Sequence, residues 1–92
     1  MAVEVRIPPV LRKHTNGAAA VPASGSTMAA ILESLENSHP GLRASITDPS
    51  GQLHRFINVY RNGEDIRYLS SLETAIADGD VVAILPAVAG GR

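Results

Sequence analysis

Gly90 and Gly91, followed by Arg92, are the residues whose type and position best suit a chemical role. A glycine pair ordinarily closes a turn or caps a helix, and this close to the end of the chain it has neither to serve. Two missing side chains leave slimness and freedom, which suit a tail that must enter a narrow channel in another protein. Gly91 is then the reacting end, Val88, Ala89 and Gly90 are the small residues such a channel would grip, and the preceding residues are the body that presents them.

No other constellation has the spacing that catalysis or metal binding requires. His14, His39 and His54 are far apart and fall in or beside loops, which predicts surface histidines and no metal site. Asp78 and Asp80 bracket Gly79 as turn formers do, and Glu64-Asp65 follows a hairpin signal. Ser24-Gly25-Ser26 is not set in a Gly-x-Ser-x-Gly elbow, and no glycine-rich phosphate loop precedes a helix. Without a cysteine, a disulfide framework, a thiolate nucleophile and a cysteine-based metal site are excluded together.

The elements that must position the tail follow from periodicity. Ala2 to Ile7 alternates, with Val3, Val5 and Ile7 on one side and Glu4 and Arg6 on the other, which predicts a strand with one dry face. Pro8-Pro9 ends it, Asn16-Gly17 marks a loop, and Ala18 to Ala23 is a second strand expected to pair with the first as a hairpin. Ser26 or Thr27 caps a helix whose Met28, Ile31, Leu32 and Leu35 recur at helical spacing until Pro40-Gly41 stops it. Gly41 to Leu53 has no period and is expected to be a polar loop. His54 to Arg61 returns to strand, Asn62-Gly63 is the strongest hairpin signal, and a short strand is expected around Ile66 to Leu69. Leu72, Ala75 and Ile76 suggest one helical turn before a tight turn at Asp78-Gly79-Asp80 and a last strand, Asp80 to Leu85, that ends at Pro86. That order predicts an α+β domain, one helix packed across a mixed sheet.

Composition narrows the classes. Ninety-two residues, 45% hydrophobic and 18% charged, make one globular domain with a modest core. A net charge of −1 supplies no field for nucleic acid, and Arg12-Lys13-His14, the one basic cluster, is expected to be a solvated loop. The first residues carry charges where a signal peptide needs an apolar run, and no stretch reaches membrane length, so a soluble cytoplasmic protein is expected, with no membrane and no nucleic-acid partner. Val82 and Ile84 should face the helix, which turns Leu85 outward toward Phe56 or Tyr60 as an apolar docking patch; simple sheet packing by those aromatics is the alternative. From Glu64 to Asp80, Glu64, Asp65, Glu73, Asp78 and Asp80 stand against Arg67 alone, an acidic stretch expected to steer a basic partner.

Asn62-Gly63-Glu64-Asp65 after a strand, Asp78-Gly79-Asp80 before the last strand and the ending Ile84-Leu85-Pro86-Ala87-Val88-Ala89-Gly90-Gly91 together resemble the ubiquitin-like β-grasp sulfur carriers of the ThiS/MoaD family. Leu53-His54-Arg55-Phe56-Ile57-Asn58-Val59-Tyr60 and the Ala-Val-Ala-Gly-Gly ending are most similar to the actinobacterial type that donates sulfur for cysteine synthesis. The resemblance spans essentially the whole chain. It implies a β-grasp domain over residues 1–85, with a mixed sheet of four to five strands, and a tail over 86–92.

It also implies a carrier or cosubstrate in place of an enzyme, with no catalytic residue and no bound cofactor. An adenylating, ubiquitin-activating-like partner would use ATP to activate the Gly91 carboxylate, and a sulfur donor would convert it to a thiocarboxylate. A cysteine-synthase-like enzyme would accept the sulfur, and a metallopeptidase would process the tail or release product. Simple family members end at the second glycine, so either Arg92 is removed by a peptidase first or activation here does not use the standard route. Conjugation to protein lysines as a modifier, a molybdopterin-synthase small subunit, and an interaction module that is never activated remain as alternatives.

Overall fold

The computed structural model describes residues 2–86. Strand β1 (Val3–Arg6) buries Val3 and Val5 and exposes Glu4 and Arg6, the alternation its sequence carries. It pairs antiparallel with β2 (Ala20–Ala23), Val5 opposite Val21, so the hairpin expectation holds with the second strand beginning at Ala20. It also pairs parallel with the last strand, β5 (Val81–Pro86), Val5 opposite Val82. On the other side of β5 runs antiparallel β3 (Ile57–Arg61), Val59 opposite Ile84, and β4 (Glu64–Asp65) completes a five-stranded mixed sheet of order β2-β1-β5-β3-β4. The last strand is thus the central one, held by neighbours on both sides.

Helix α1 (Met28–Ser38) supplies the second layer. Its Met28, Ile31, Leu32 and Leu35 are buried in one core with Val5, Val59, Val82 and Ile84. Burial of each such side chain is worth about 1.5–3 kcal/mol. Of the two candidate caps, Thr27 is the one used, its hydroxyl accepting from the Ala30 amide at 3.2 Å. The Ser26 carbonyl instead accepts from the Ile76 amide and the Met28 amide donates to the Thr74 carbonyl, clamping the helix start to residues 74–76. Gly25 lets the chain pass close beneath the helix: a Cβ there would lie 2.7 Å from that of Ala30.

Several local expectations are corrected. The polar loop from Gly41 contains a short helix, α2 (Leu42–Ile46), with Leu42 and Ile46 fully buried. Five residues are too few to display a period. The cap of α2 comes from α1, where the Glu36 carboxylate accepts the Gly41 and Arg43 amides, which holds its pKa below the usual value. The strand expected from His54 begins at Ile57, because the Ile57 amide closes a turn onto the His54 carbonyl. The short strand expected at Ile66 to Leu69 lies earlier, at β4, and Ile66–Tyr68 is a 3₁₀ turn capped by Asp65. That turn drops Ile66 out of the sheet and into the core, where it is fully buried.

The turn expected around Leu72 to Ile76 occupies Ser71–Glu73. The basic cluster expected in a solvated loop belongs to a 3₁₀ helix, Pro9–His14, anchored by buried Leu11 and by the Arg12 Nε bond to the Ile7 carbonyl. Pro86 stands in the ladder as its last residue, opposite Ile57; at a strand end the missing amide removes at most one bond.

Candidate functional site

Leu85 is the outward residue nearest the end of the described chain. Alternation along β5 buries Val82 and Ile84 against the helix and turns Ala83 and Leu85 to the opposite, open face of the sheet, where Leu85 is 47% exposed. Register places Leu85 opposite Asn58 and Ala83 opposite Tyr60, so Leu85 and Tyr60 share that face. Phe56, 48% exposed, sits in the turn just before Ile57, the residue paired with Pro86, and marks the rim. Of the three residues expected to form a docking patch, Leu85 and Phe56 therefore lie at the same end of β3 and β5, whereas Tyr60 shares the face of Leu85 but lies further along β3, opposite Ala83 and next to β4. Beside Leu85 is an open groove of about 540 Å³ whose walls include Arg6, Pro8, Arg12, Ala20, Ala83 and Leu85.

The residues expected to carry the chemistry, Gly91, with Gly90, Ala89 and Val88 for recognition and Arg92 for processing, lie outside the described residues. The end of β5 is the point from which they continue. That end is braced from the β3 side: Arg67 donates to the Asn58 side-chain oxygen at 2.8 Å and to the His54 carbonyl at 2.9 Å, tying the 54–57 turn to the strand. The Arg55 guanidinium stands 5.2 Å over the Phe56 ring. Sequence reasoning missed this brace. Alternation could have turned Asn58 outward with Tyr60, whereas Arg67 arrives through a 3₁₀ turn that no pattern marks.

The start of β5 is fastened by Asp80. Its carboxylate accepts from Arg61 Nε at 2.8 Å, Asn62 Nδ2 at 3.0 Å and the Ala77 amide at 2.8 Å, while the Asn62 side-chain oxygen accepts the Val81 amide. The turn residues Asn62 and Gly63 both have positive φ, so the hairpin that the sequence signals is also the device that locks β3 onto β5. The Ala77 amide first, then Asn62 and Arg61, hold the Asp80 pKa down to about 2. A depressed native pKa means that protonation favours the unfolded chain. Stability contributed by Asp80 is expected to be complete above about pH 4 and lost as pH falls toward 2. Acid titration of ellipticity should show it, and Asp80→Asn should lower stability at neutral pH while flattening that window; an unchanged acid limb would count against the clasp.

Three carboxylates of the acidic stretch are committed internally, since Asp65 accepts the Arg67 amide and Asp78 the Ala2 amide besides the ties of Asp80. The histidines are structural or superficial. His54 Nδ1 accepts the Phe56 amide, His14 Nε2 lies 3.3 Å from the Ser45 hydroxyl, and His39 closes the end of α1. Among the described residues no three metal-ligating side chains cluster, and no helix is long and apolar enough to cross a membrane.

A central β5 flanked by β1 and β3, with one helix across the sheet, is an arrangement shared with known proteins. The chain is 54% identical to the sulfur carrier protein CysO of Mycobacterium tuberculosis, over 99% of this chain and 100% of that one. A crystal structure of Mycobacterium tuberculosis CysO superimposes with a TM-score of 0.91 at 52% identity, covering 94% of this chain and 99% of that one. CysO from an Amycolatopsis orientalis BexX/CysO complex gives a TM-score of 0.90 at 48% identity, covering 97% and 99%. Small archaeal modifier protein 1 of Haloferax volcanii gives 0.81 at 31% identity, covering 99% and 100%. The fold is the ubiquitin-like β-grasp. With the ThiS family model matching residues 5–91, the chain belongs to the ThiS family and is a homologue of the sulfur carrier protein CysO.

Proposed function

We propose that this chain carries sulfur as a thiocarboxylate on Gly91 and donates it in the synthesis of cysteine or a related sulfur metabolite. The observation that supports this most is where the family match stops: it runs through residue 91, the second glycine, and leaves Arg92 outside. On this reading a peptidase, a metallopeptidase by family resemblance, first hydrolyses the Gly91–Arg92 bond.

The exposed carboxylate is a poor electrophile, because its charge is delocalised and its leaving group would be oxide. An adenylating partner supplies ATP: a carboxylate oxygen attacks the α-phosphorus, pyrophosphate leaves, and Gly91 becomes an acyl-adenylate. A sulfide-level donor then attacks the carbonyl and AMP departs, leaving the thiocarboxylate. A thioacid is anionic at neutral pH without a neighbouring base, and its sulfur is a strong nucleophile toward an acceptor bound by a cysteine-synthase-like enzyme. The chain itself supplies no acid or base. Its part is to hold the base of the tail on a central strand and to dock through Leu85, Phe56 and Tyr60.

The half-exposure of Leu85 and Phe56 at the end of β5 supports docking at that place, and the complex that the Amycolatopsis orientalis homologue forms with BexX supports a protein partner as such. Similarity to an archaeal modifier favours a second reading, capture of the same activated glycine by a lysine amine. Intact mass of the protein purified from its own cells tests both. Loss of Arg92 with one carboxylate oxygen exchanged for sulfur is the expected result. A ladder of conjugates would favour the modifier, and an intact Arg92 with no adduct would overturn both.

A further inference from the structure

Charges are unevenly spread around β5, with Arg61 paired to Asp80 at its start and Glu4, paired to Arg6, sharing the groove of Arg12 and Leu85. At its start lie Asp78 and Asp80, with the acidic strand β4 beyond β3. At its far end three arginines surround Leu85 and Pro86. Arg12 lines the groove that Leu85 borders, Arg67 bonds Asn58 opposite Leu85, and Arg55 covers the Phe56 ring next to the partner of Pro86. Among the described residues the ion pairs are Arg6 with Glu4 and Arg61 with Asp80, so none of these three guanidiniums is in an ion pair, although the Arg67 backbone amide donates to Asp65.

Their hydrogen bonds go to neutral oxygens: Arg12 to the Ile7 carbonyl, Arg67 to the Asn58 side chain and the His54 carbonyl. A guanidinium offers five donors in a planar fork, so most of this capacity is left for an outside acceptor, and a carboxylate is the acceptor whose geometry matches the fork. Arg55 and Arg67 are exposed, while Leu85 and Phe56 supply an apolar centre between them and the groove. The acidic stretch makes a weaker candidate for steering, because Asp65, Asp78 and Asp80 already accept bonds from the chain's own donors.

We infer that this end of the sheet is an interaction surface for a protein bearing carboxylates around the mouth of a tail-receiving channel, with Arg12, Arg55 and Arg67 as the complementary cations and Leu85 as the apolar contact. The inference rests on the sulfur-carrier reading for the identity of that protein, the adenylating partner. Charges at the rim of an interface act mainly on the rate of encounter and its salt dependence. The partner is therefore expected to be acidic at its channel mouth, the reverse of what the acidic stretch alone suggests.

The test measures association of the full chain with the purified adenylating enzyme of the same organism, without ATP, at low and at physiological salt, with pyrophosphate release on adding ATP to the des-Arg92 form as a second readout. Arg55→Glu with Arg67→Glu is expected to slow association at least tenfold and to abolish its salt dependence. Arg55→Glu alone, at a side chain whose described contact is the Phe56 ring, keeps the test valid if losing the Arg67 brace harms folding; it should slow association several-fold. Glu64→Lys in β4 with Glu73→Lys in the Ser71–Glu73 turn, both in the acidic stretch, should leave association unchanged.

Association indifferent to the arginine reversals, slowed by the acidic-stretch reversals, or absent in the unaltered chain would overturn the inference. So would a sedimentation profile showing that these arginines hold two copies of this chain together. Binding that depends on the arginines but yields no pyrophosphate release would support the surface and sink the sulfur-carrier reading. Release that ignores the arginine reversals would do the opposite.

Discussion

A chain ending at Gly91 is expected to be adenylated at least about 100-fold faster than the chain ending at Arg92. One added residue moves the terminal carboxylate by roughly 3.3–3.6 Å along an extended tail, and misplacing a reacting group by about 1 Å can already cost about 100-fold in rate. Arg92 also brings a long cationic side chain to a place where two glycines leave nothing beyond the backbone. ATP–pyrophosphate exchange with the adenylating enzyme, run on both forms, reads the difference directly. In the shortened form, Gly91→Ala should lower the exchange rate while leaving the unfolding midpoint unchanged, since a Cβ beside the reacting carbonyl crowds the approach of ATP. Equal exchange by both forms would remove the need for processing, and exchange by neither would remove the carrier reading.

Ile84 and Leu85 are neighbours on one strand and should respond to alanine in opposite ways. Ile84 is 1% exposed and pairs with Val59 in the centre of the core, so Ile84→Ala removes buried methylenes and leaves a cavity. Such changes cost about 2–5 kcal/mol, a large share of the roughly 5–15 kcal/mol typical of a domain. Leu85 is 47% exposed on the open face, and Leu85→Ala should shift stability by no more than about 0.5 kcal/mol. Its effect should appear in partner affinity, weakened about tenfold if Leu85 is an anchor of the interface. Urea unfolding followed by circular dichroism gives the first quantity and titration with the adenylating enzyme the second. Two alanine variants with the same unfolding midpoint would refute the face assignment, and unaltered affinity of Leu85→Ala would take Leu85 out of the docking surface.

Much of the scaffold was legible because its signals are local. Alternation in Val3-Glu4-Val5-Arg6, helical spacing from Met28 to Leu35 and the Asn62-Gly63 turn each mark an element through contacts the chain makes with itself a few residues away. The face of Leu85 was legible too, since the period of two in β5 leaves it no other side once Val82 and Ile84 are buried. The short helix α2 was not, because its cap, Glu36, lies on the preceding helix. The 3₁₀ turn at Ile66–Tyr68 was not, because only a core already assembled makes it favourable to pull Ile66 out of the strand line.

The arginines divide along the same line. By itself, the sequence determined the class of fold and the outward face of Leu85 at the end of the last strand, both of which come from periodicity and composition. Only the tertiary structure decided that Arg12, Arg55 and Arg67, drawn from three separate segments, converge on the end of β5, and that Asp80 is drawn in as a clasp with Arg61 and Asn62. Charges distant in the chain carry no period, and whether a carboxylate steers a partner or fastens a turn depends on which donors the fold brings within about 3 Å of it.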